Sequence, residues 1–255
     1  TIQGLLDTWG DHEALYAIEP VNEPWWASDL DVLKQFYRDV RENMRAQQPR
    51  LKFVFHDSFH FDASVWNDLF ADDDKENVVM DTHQYLAWWG GREDIGSYCD
   101  DYGSVLSTAL NVKYEVWVGE WSLATDVCAL WLGGFNDANT DAAKACQRVE
   151  CPRSYMPVHG VDFDRTAAKL GPFGSSGLNR DHSTIQNGTC AIDSAFYNDN
   201  DLMRLGQCML DIFNWSVEGH FMWTIRNELE PRWSYAQSYD KGWIKNKPAT
   251  QFVQE

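Results

Sequence analysis

The chain has 255 residues, of which 44% are hydrophobic and 24% charged, so it can bury the core of one barrel-sized domain or of two small ones. Its 39 acidic and 21 basic residues give a net charge of −18, which makes nucleic acids and anionic membrane surfaces poor candidates for partners. A neutral glycan is compatible with this charge, and the 13 tryptophans offer apolar platforms for sugar rings.

Short apolar strands alternate with amphipathic helices along the chain. Strands are predicted at 15–21, 51–56, 78–83, 114–119 and 220–224. The first helix is predicted to be capped by Ser28, to carry an apolar face that includes Val32, Phe36 and Met44, and to end before Pro49. Further helical patterns cover 61–70, 95–110 and the region around 202–213. This alternation is typical of parallel βαβ units.

Two of the predicted strands end in a glutamate. Glu23 follows the first strand within Tyr16-Ala17-Ile18-Glu19-Pro20-Val21-Asn22-Glu23-Pro24, and Glu120 follows the fourth within Tyr114-Glu115-Val116-Trp117-Val118-Gly119-Glu120-Trp121-Ser122. The carboxyl ends of parallel barrel strands form the rim where active sites lie. Two facing carboxylates are the minimum needed to hydrolyse a glycosidic bond. We therefore expect a glycosidase site rather than two surface carboxylates.

The region 134–200 has no helical or strand periodicity and is rich in Gly, Asn, Asp and Pro, so it reads as an irregular insertion. It contains Cys146, Cys151 and Cys190. The six cysteines of the chain form no CxxC pair, which favours disulfides and an oxidising compartment over a metal cluster or free thiols. We expect at least one disulfide to tie the insertion to itself or to the barrel. Asn187 is the better of two potential glycosylation sites because Asn214 lies in a predicted helix.

No apolar run approaches the length of a membrane span or signal segment. The chain begins at Thr1 without a methionine, so we expect a mature fragment or an excised domain.

Five segments, in this order, resemble glycoside hydrolase family 5, and within it the exo-β-1,3-glucanase (glucan 1,3-β-glucosidase) branch of fungi and oomycetes. They are Asn22-Glu23-Pro24, Asp81-Thr82-His83-Gln84-Tyr85, Gly119-Glu120-Trp121-Ser122, Cys128-Ala129-Leu130-Trp131-Leu132, and Phe221-Met222-Trp223-Thr224 with Trp233-Ser234-Tyr235. The resemblance covers nearly the whole chain and is loosest at 134–195. It implies a (β/α)₈ TIM barrel in which the five predicted strands are strands 4 to 8, so that residues 1–255 form one partial catalytic domain lacking strands 1 to 3.

The resemblance also implies roles for individual residues. Glu23 is expected to be the general acid/base and Glu120 the nucleophile of a retaining mechanism. Asn22 is expected to hydrogen-bond the 2-hydroxyl of the reacting sugar. His83 and Tyr85 alternate along one strand and therefore share a face, with His83 lining the site and Tyr85 hydrogen-bonding Glu120.

Two tryptophans complete the expected site. By resemblance, Trp223 is the stacking platform under the reacting sugar, and Trp88 matches an aromatic residue of the entrance clamp. The expected chemistry needs no metal and no cofactor.

These features predict a secreted or cell-wall enzyme that cleaves β-1,3-glucan from chain ends and releases glucose. A β-1,4 or β-1,6 specificity remains open, as does an inactive glucan-binding remnant. Without strands 1 to 3, side chains expected in the barrel interior would be partly open to water: Tyr16, Ile18, Phe53, Val79, Val116 and Phe221. The isolated chain is therefore expected to be insoluble or inactive. An upstream coding sequence for three further βα units would distinguish a piece of an active enzyme from an inactive remnant. The oligomeric state stays open.

Overall fold

The computed structural model describes residues 2–72, 75–89, 94–125, 148–150, 189–191, 198–226 and 231–245. The chain divides into two compact units. The first unit comprises 1–84, 100–121 and 210–221, and the second comprises 85–99, 122–209 and 222–255. The cysteine segment at 128–132, the side chains of the 134–197 region and the sequon at Asn187 lie outside what the structure describes, so the expectations made for them stay predictions.

The described elements follow the predicted order, with two additional helices, one at the start and one near the end of the described residues. They are α1 (Ile2–Trp9), β1 (Ala17–Ile18), α2 (Leu30–Gln47), β2 (Lys52–His56), α3 (Ala63–Trp66), β3 (Val78–Gln84), α4 (Ile95–Leu106), β4 (Glu115–Trp121), β5 (Arg148–Glu150), β6 (Thr189–Ala191), α5 (Asp199–Ser216), β7 (Gly219–Met222) and α6 (Tyr235–Asp240). Short 3₁₀ turns occupy Leu86–Trp88, Ser107–Asn111 and Pro231–Trp233.

One sheet carries all five predicted strands in the order β1-β2-β3-β4-β7. The pairs β1–β2, β2–β3 and β3–β4 are parallel, as the strand–helix alternation predicts. Strands β5 and β6 form a separate antiparallel pair that the sequence pattern did not predict.

Helix α2 begins one residue later than predicted because Asp29, not Ser28, is its cap. The Asp29 carboxylate accepts the backbone N–H groups of Asp31 and Val32 at 3.0 and 3.2 Å. A carboxylate at this position also interacts favourably with the positive end of the helix dipole. The predicted apolar face is only partly right, since Val32 and Phe36 are exposed while Met44 is buried.

The main core of the first unit lies between the sheet and α2, around Tyr37 and Met44. Among the side chains predicted to be open to water, Tyr16 and Phe221 are indeed 61% and 56% exposed. The prediction is wrong for four others, which are buried: Ile18, Phe53, Val79 and Val116. Ile18, Phe53 and Val116 belong to this helix-side core. Parallel strands are apolar on both faces, so apolar character alone does not reveal which face a residue occupies.

Helix α4 ends at Leu106 and continues as a 3₁₀ turn, so the predicted helix over 95–110 is too long and Leu110 is exposed. In the second unit, Cys99 of α4 is disulfide-bonded to Cys208 of α5 with a Cα–Cα separation of 6.1 Å, which confirms the general expectation of disulfides. The disulfide expected for the 134–200 insertion stays a prediction. Helix α5 is buried along its predicted apolar face. None of the helices in the described ranges is both long and apolar enough to cross a membrane.

Candidate active site

An open pocket of about 240 Å³ lies in the first unit, at the carboxyl ends of the sheet strands. Its walls are formed by Ala17, Glu19, Asn22, Val54, Asp81, His83, Trp117, Gly119, Glu120 and Phe221. The chain beyond β1 reaches the pocket through a tight turn in which Glu23 has a φ of 43°. A positive φ is uncommon for a residue with a side chain, and such residues cluster at functional sites.

A β-bulge at Gly119 brings Glu120 into this pocket. Thr82 of β3 pairs with Val118 of β4, but the next residue, His83, pairs with Glu120, so Gly119 is an extra residue in β4. Side chains alternate between the faces of a regular strand, so if Gly119 paired with His83 in an unbulged strand, Glu120 would point away from Trp117. Because of the bulge, Trp117 and Glu120 line the same pocket.

Asp81 occupies the space opposite the bulge. Its Oδ1 accepts the Gly119 N–H at 2.6 Å, so the backbone group displaced from the strand ladder is satisfied. A Cβ atom on residue 119 would overlap the Asp81 carboxylate. The close approach of strands β3 and β4 at this point therefore requires glycine.

The buried imidazole of His83 connects the two predicted catalytic glutamates. Its Nδ1 lies 2.6 Å from Glu23 Oε1 and 3.4 Å from Glu120 Oε2, while its Nε2 lies 3.3 Å from Asp81 Oδ2. Since both glutamate oxygens are this close to one nitrogen, they can be no more than about 6 Å apart. The structure thus brings Glu23, His83 and Glu120 together.

These carboxylates determine the charge of His83. Burial alone would lower its pKa, but the hydrogen bonds to Asp81 and Glu23 and the negative charge of Glu120 outweigh burial and raise the pKa to about 10. His83 is therefore an imidazolium at neutral pH. As a cation it can donate to Glu23 from Nδ1 and to Asp81 from Nε2.

Glu19 is the opposite case, a carboxyl group held in its neutral form. Burial first, and then the neighbouring charges of Asp81, Glu120 and Glu23, raise its pKa to about 8, although His83 partly offsets this effect. Its Oε1 is buried without a hydrogen-bond partner. Glu19 thus lines the pocket as an uncharged acid at neutral pH.

His56 lies next to His83, with a ring-centroid separation of 4.4 Å. One ligand atom from each of Glu23, His56 and His83 falls within 4.8 Å of the others, which is close enough for a metal. However, His56 Nδ1 accepts the Ser58 N–H at 2.9 Å, so the neutral ring carries its proton on Nε2. Burial lowers the pKa of His56 to about 3 and keeps it neutral. With Nε2 protonated and His83 cationic, the trio does not fit a metal ion.

Three further predicted site residues belong to the second unit and are described within it. Tyr85 contacts the rings of Trp88 and Trp233 at centroid separations of 5.3 and 5.1 Å. Trp88 is 57% exposed and Trp223 is 48% exposed. The expected hydrogen bond from Tyr85 to Glu120 and the roles of the two tryptophans in sugar binding stay predictions.

Sequence reasoning missed Glu19 and Asp81. Asp81 could have been predicted as a site residue, because it precedes His83 by two residues on one strand and so must share its face. Glu19 follows β1 directly and lies within the same strand-end segment as Glu23.

No protein-family model matches the sequence. A glucan 1,3-beta-glucosidase of Blumeria graminis is 28% identical over 241 residues, which are 92% of this chain and 49% of that protein. A probable glucan 1,3-beta-glucosidase A of Aspergillus terreus is 32% identical over 130 residues, 48% of this chain and 30% of that protein. The chain thus spans about half the length, or less, of these curated relatives.

Two solved structures resemble this fold. The crystal structure of AoRut gives a TM-score of 0.58 at 15% identity and covers 98% of this chain and 55% of its own. The rutinosidase of Aspergillus niger gives a TM-score of 0.54 at 16% identity, with 96% of this chain and 55% of its own covered. Together with the parallel sheet, these likenesses identify the fold as part of an α/β barrel.

Proposed function

We propose that this chain is part of a retaining glycoside hydrolase of family 5 that cleaves β-1,3-glucan from chain ends and releases glucose. The observation that carries the proposal is the placement of Glu23 and Glu120 around the single nitrogen of His83. The relative that matches 92% of the chain is named glucan 1,3-beta-glucosidase, which supports the same substrate class.

The separation of the two carboxylates favours retention of configuration. Retaining enzymes hold them about 5–5.5 Å apart and inverting enzymes about 6.5–9.5 Å apart, because inversion needs room for a water molecule. An upper limit of about 6 Å between the nearest oxygens leaves little such room. Glu120 attacks the anomeric carbon to form a glycosyl-enzyme, and water later releases the sugar.

Glu23 acts on the leaving group. It donates a proton to the glycosidic oxygen in the first step and accepts one from water in the second. The 2.6 Å contact with His83 uses only Oε1 of Glu23, which accepts the Nδ1 proton, so the proton given to the leaving group is carried on Oε2, and the partial exposure of Glu23 gives substrate access to it. The positive charge of His83 also compensates the Glu120 carboxylate, which has to be ionised to attack.

The remaining roles follow the family pattern. Asn22 lines the pocket and binds the 2-hydroxyl of the reacting sugar. By the same family pattern, Tyr85 is expected to hydrogen-bond Glu120, Trp223 to stack under the sugar and Trp88 to form part of the entrance.

The five-stranded sheet corresponds to strands 4 to 8 of a complete barrel. Tyr16 and Trp117, whose rings stack at 6.3 Å, and Phe221 then face space that strands 1 to 3 would fill. The complete protein would be secreted or bound to the cell wall. We expect the 255-residue chain alone to be inactive, and release of glucose to need the upstream strands.

The test uses the protein extended by its upstream coding sequence, with Glu120→Gln as the variant and Glu115→Gln, at the other end of β4, as the control. We expect Glu120→Gln to abolish glucose release from laminarin while binding persists, and Glu115→Gln to remain active. Proton NMR of the first product should show the β-anomer. Activity of Glu120→Gln within threefold of wild type, or an α-anomer, would contradict the mechanism. A soluble, fully active 255-residue chain would contradict the partial barrel.

A further inference from the structure

We propose that Trp25 and Trp26 form a sugar-binding platform on the leaving-group side of the site, which holds the part of the glucan that departs after cleavage. This inference rests on the proposed function, because it assumes that Glu23 protonates a glycosidic oxygen. It concerns residues outside the pocket that contains His83 and Glu120.

The two side chains form an exposed aromatic surface. Trp25 and Trp26 are 68% and 60% exposed, and their ring centroids lie 6.0 Å apart with the planes inclined by 65°. Large apolar side chains exposed next to each other are characteristic of binding surfaces, since leaving them in water is unfavourable. Two adjacent rings also offer contact area for more than one sugar unit.

The backbone that carries these rings is held in place by the loop after β2. The Ser58 hydroxyl lies 3.1 Å from the carbonyl oxygens of both Pro24 and Trp25, and His60 Nε2 donates to the Trp26 carbonyl at 2.7 Å. The Ser28 N–H also donates to the Trp25 carbonyl at 2.8 Å. The indole rings therefore project from a segment whose carbonyl groups are already bonded.

The loop after β2 that supports the platform is itself held by hydrogen bonds to Asp57. Ser58 and Phe59 have φ values of 51° and 62°, a costly conformation for residues with side chains. Buried Asp57 stabilises it by accepting the Phe59 N–H at 2.8 Å and the Thr82 hydroxyl at 2.7 Å. The platform is thus preorganised, which reduces the entropy lost when a ligand binds.

The order of the strands places the platform on the leaving-group side. Glu120 follows β4, whereas Trp25 and Trp26 follow β1 and are held by the loop after β2, at the other end of this run of strands. Glu120 attacks the anomeric carbon and Glu23 protonates the leaving oxygen. The direction from Glu120 through Glu23 therefore leads from the retained sugar toward the departing chain, and Trp25 and Trp26 come directly after Glu23.

The chemistry of the surface selects a neutral glycan. Equatorially substituted glucose presents apolar C–H faces that pack on indole rings. A chain with a net charge of −18 disfavours an anionic polymer. The occupant is accordingly a β-linked glucan of at least two units beyond the cleaved bond.

The test measures binding of laminari-oligosaccharides of two to six glucose units in the upstream-extended protein carrying Glu120→Gln. Trp25→Ala and Trp26→Ala are compared with Trp9→Ala, which removes another exposed tryptophan, in α1. By calorimetry we expect Trp25→Ala or Trp26→Ala to weaken binding of the longer oligosaccharides about tenfold. Binding of 1-deoxynojirimycin, a single amine of sugar size measured in the same Trp variants with Glu120 intact, should be unchanged, and Trp9→Ala should change neither.

Equal affinities of the wild-type and Trp variants for long oligosaccharides would overturn the platform and leave the proposed function intact. A change from dimer to monomer in sedimentation, without loss of glucan affinity, would also overturn it by identifying a contact between copies. Failure of the parent protein to bind any β-glucan would overturn both proposals. Tryptophan-dependent binding without hydrolysis by the protein with Glu120 intact would overturn the function and the leaving-group assignment, and would leave the two tryptophans as a glucan-binding surface.

Discussion

Replacing Glu19 by glutamine should make the protein more stable in alkaline solution. Glutamine has nearly the same shape as the protonated acid that Glu19 is at neutral pH, but it cannot ionise. Because burial and the nearby carboxylates raise the pKa of Glu19 from 4.5 to about 8, the native state binds this proton more tightly than the unfolded chain does. The free energy of unfolding of the wild type should therefore decrease as the pH rises between these two pKa values.

The size of the effect follows from the same shift. Each pKa unit corresponds to about 1.4 kcal/mol, so the shift from 4.5 to about 8 sets a ceiling of about 5 kcal/mol. Glu19 is only partly buried, and solvent reduces the effect, so we expect about 2 kcal/mol. The difference in the free energy of unfolding between Glu19→Gln and wild type should be near zero at a pH of about 5 and reach its full size above a pH of about 8.

Urea unfolding of wild type, Glu19→Gln and the control Glu13→Gln at pH values of about 5, 6.5 and 8.5 measures this difference. Glu13 is exposed, so its replacement should leave the pH dependence unchanged. His83 contributes a slope of the same sign in every variant, because its raised pKa stabilises the native state below about 6.5 and this contribution is lost as the pH rises toward about 10. If Glu19→Gln had the same pH dependence as wild type, the assignment of Glu19 as a neutral acid would be refuted.

Three other changes test the arrangement around the pocket. Gly119→Ala should lower kcat at least about tenfold while circular dichroism is preserved, because the new methyl group would displace the Asp81 carboxylate and the adjacent Glu120; unchanged kcat would contradict the role of the bulge. Asp81→Asn should lower the pKa of His83 from about 10 by at least about one unit, since a carboxylate partner is lost, and an unchanged titration in a ¹⁵N-imidazole NMR spectrum would disprove the pairing. Replacing Cys99 and Cys208 with serine should destabilise the protein by about 2–4 kcal/mol, because the bond closes a separation of 109 residues; an unchanged urea midpoint would show that the bond does not stabilise the fold.

The sequence predicted the five strands and the meeting of Glu23 with Glu120, since apolar runs that end in glutamates mark strand ends at one edge of a parallel sheet. It did not predict the cap of α2, because Ser28 and Asp29 are both good capping residues and only the local backbone decides between them. The face of each buried strand was equally ambiguous, which explains why Phe53 was assigned to the wrong side.

The protonation states were beyond sequence reasoning. Glu19 and Asp81 lie in segments that were already recognised, yet one is a neutral acid and the other accepts hydrogen bonds from Gly119 and His83. That difference depends on burial and on distances between strands, which no local pattern contains.

The bulge at Gly119 also makes the length of β4 critical. Inserting one residue between Gly119 and Glu120 would not simply lengthen the strand, because the alternation would then turn the glutamate toward the helices and bring Trp121 to the sugar side. Trp121 is now fully buried and packs on Phe213 at 5.0 Å, so the same insertion would remove a large side chain from the core and the glutamate from the pocket. Single-residue insertions after Gly119 should therefore be tolerated far less than substitutions in β4 at positions whose side chains contact no substrate.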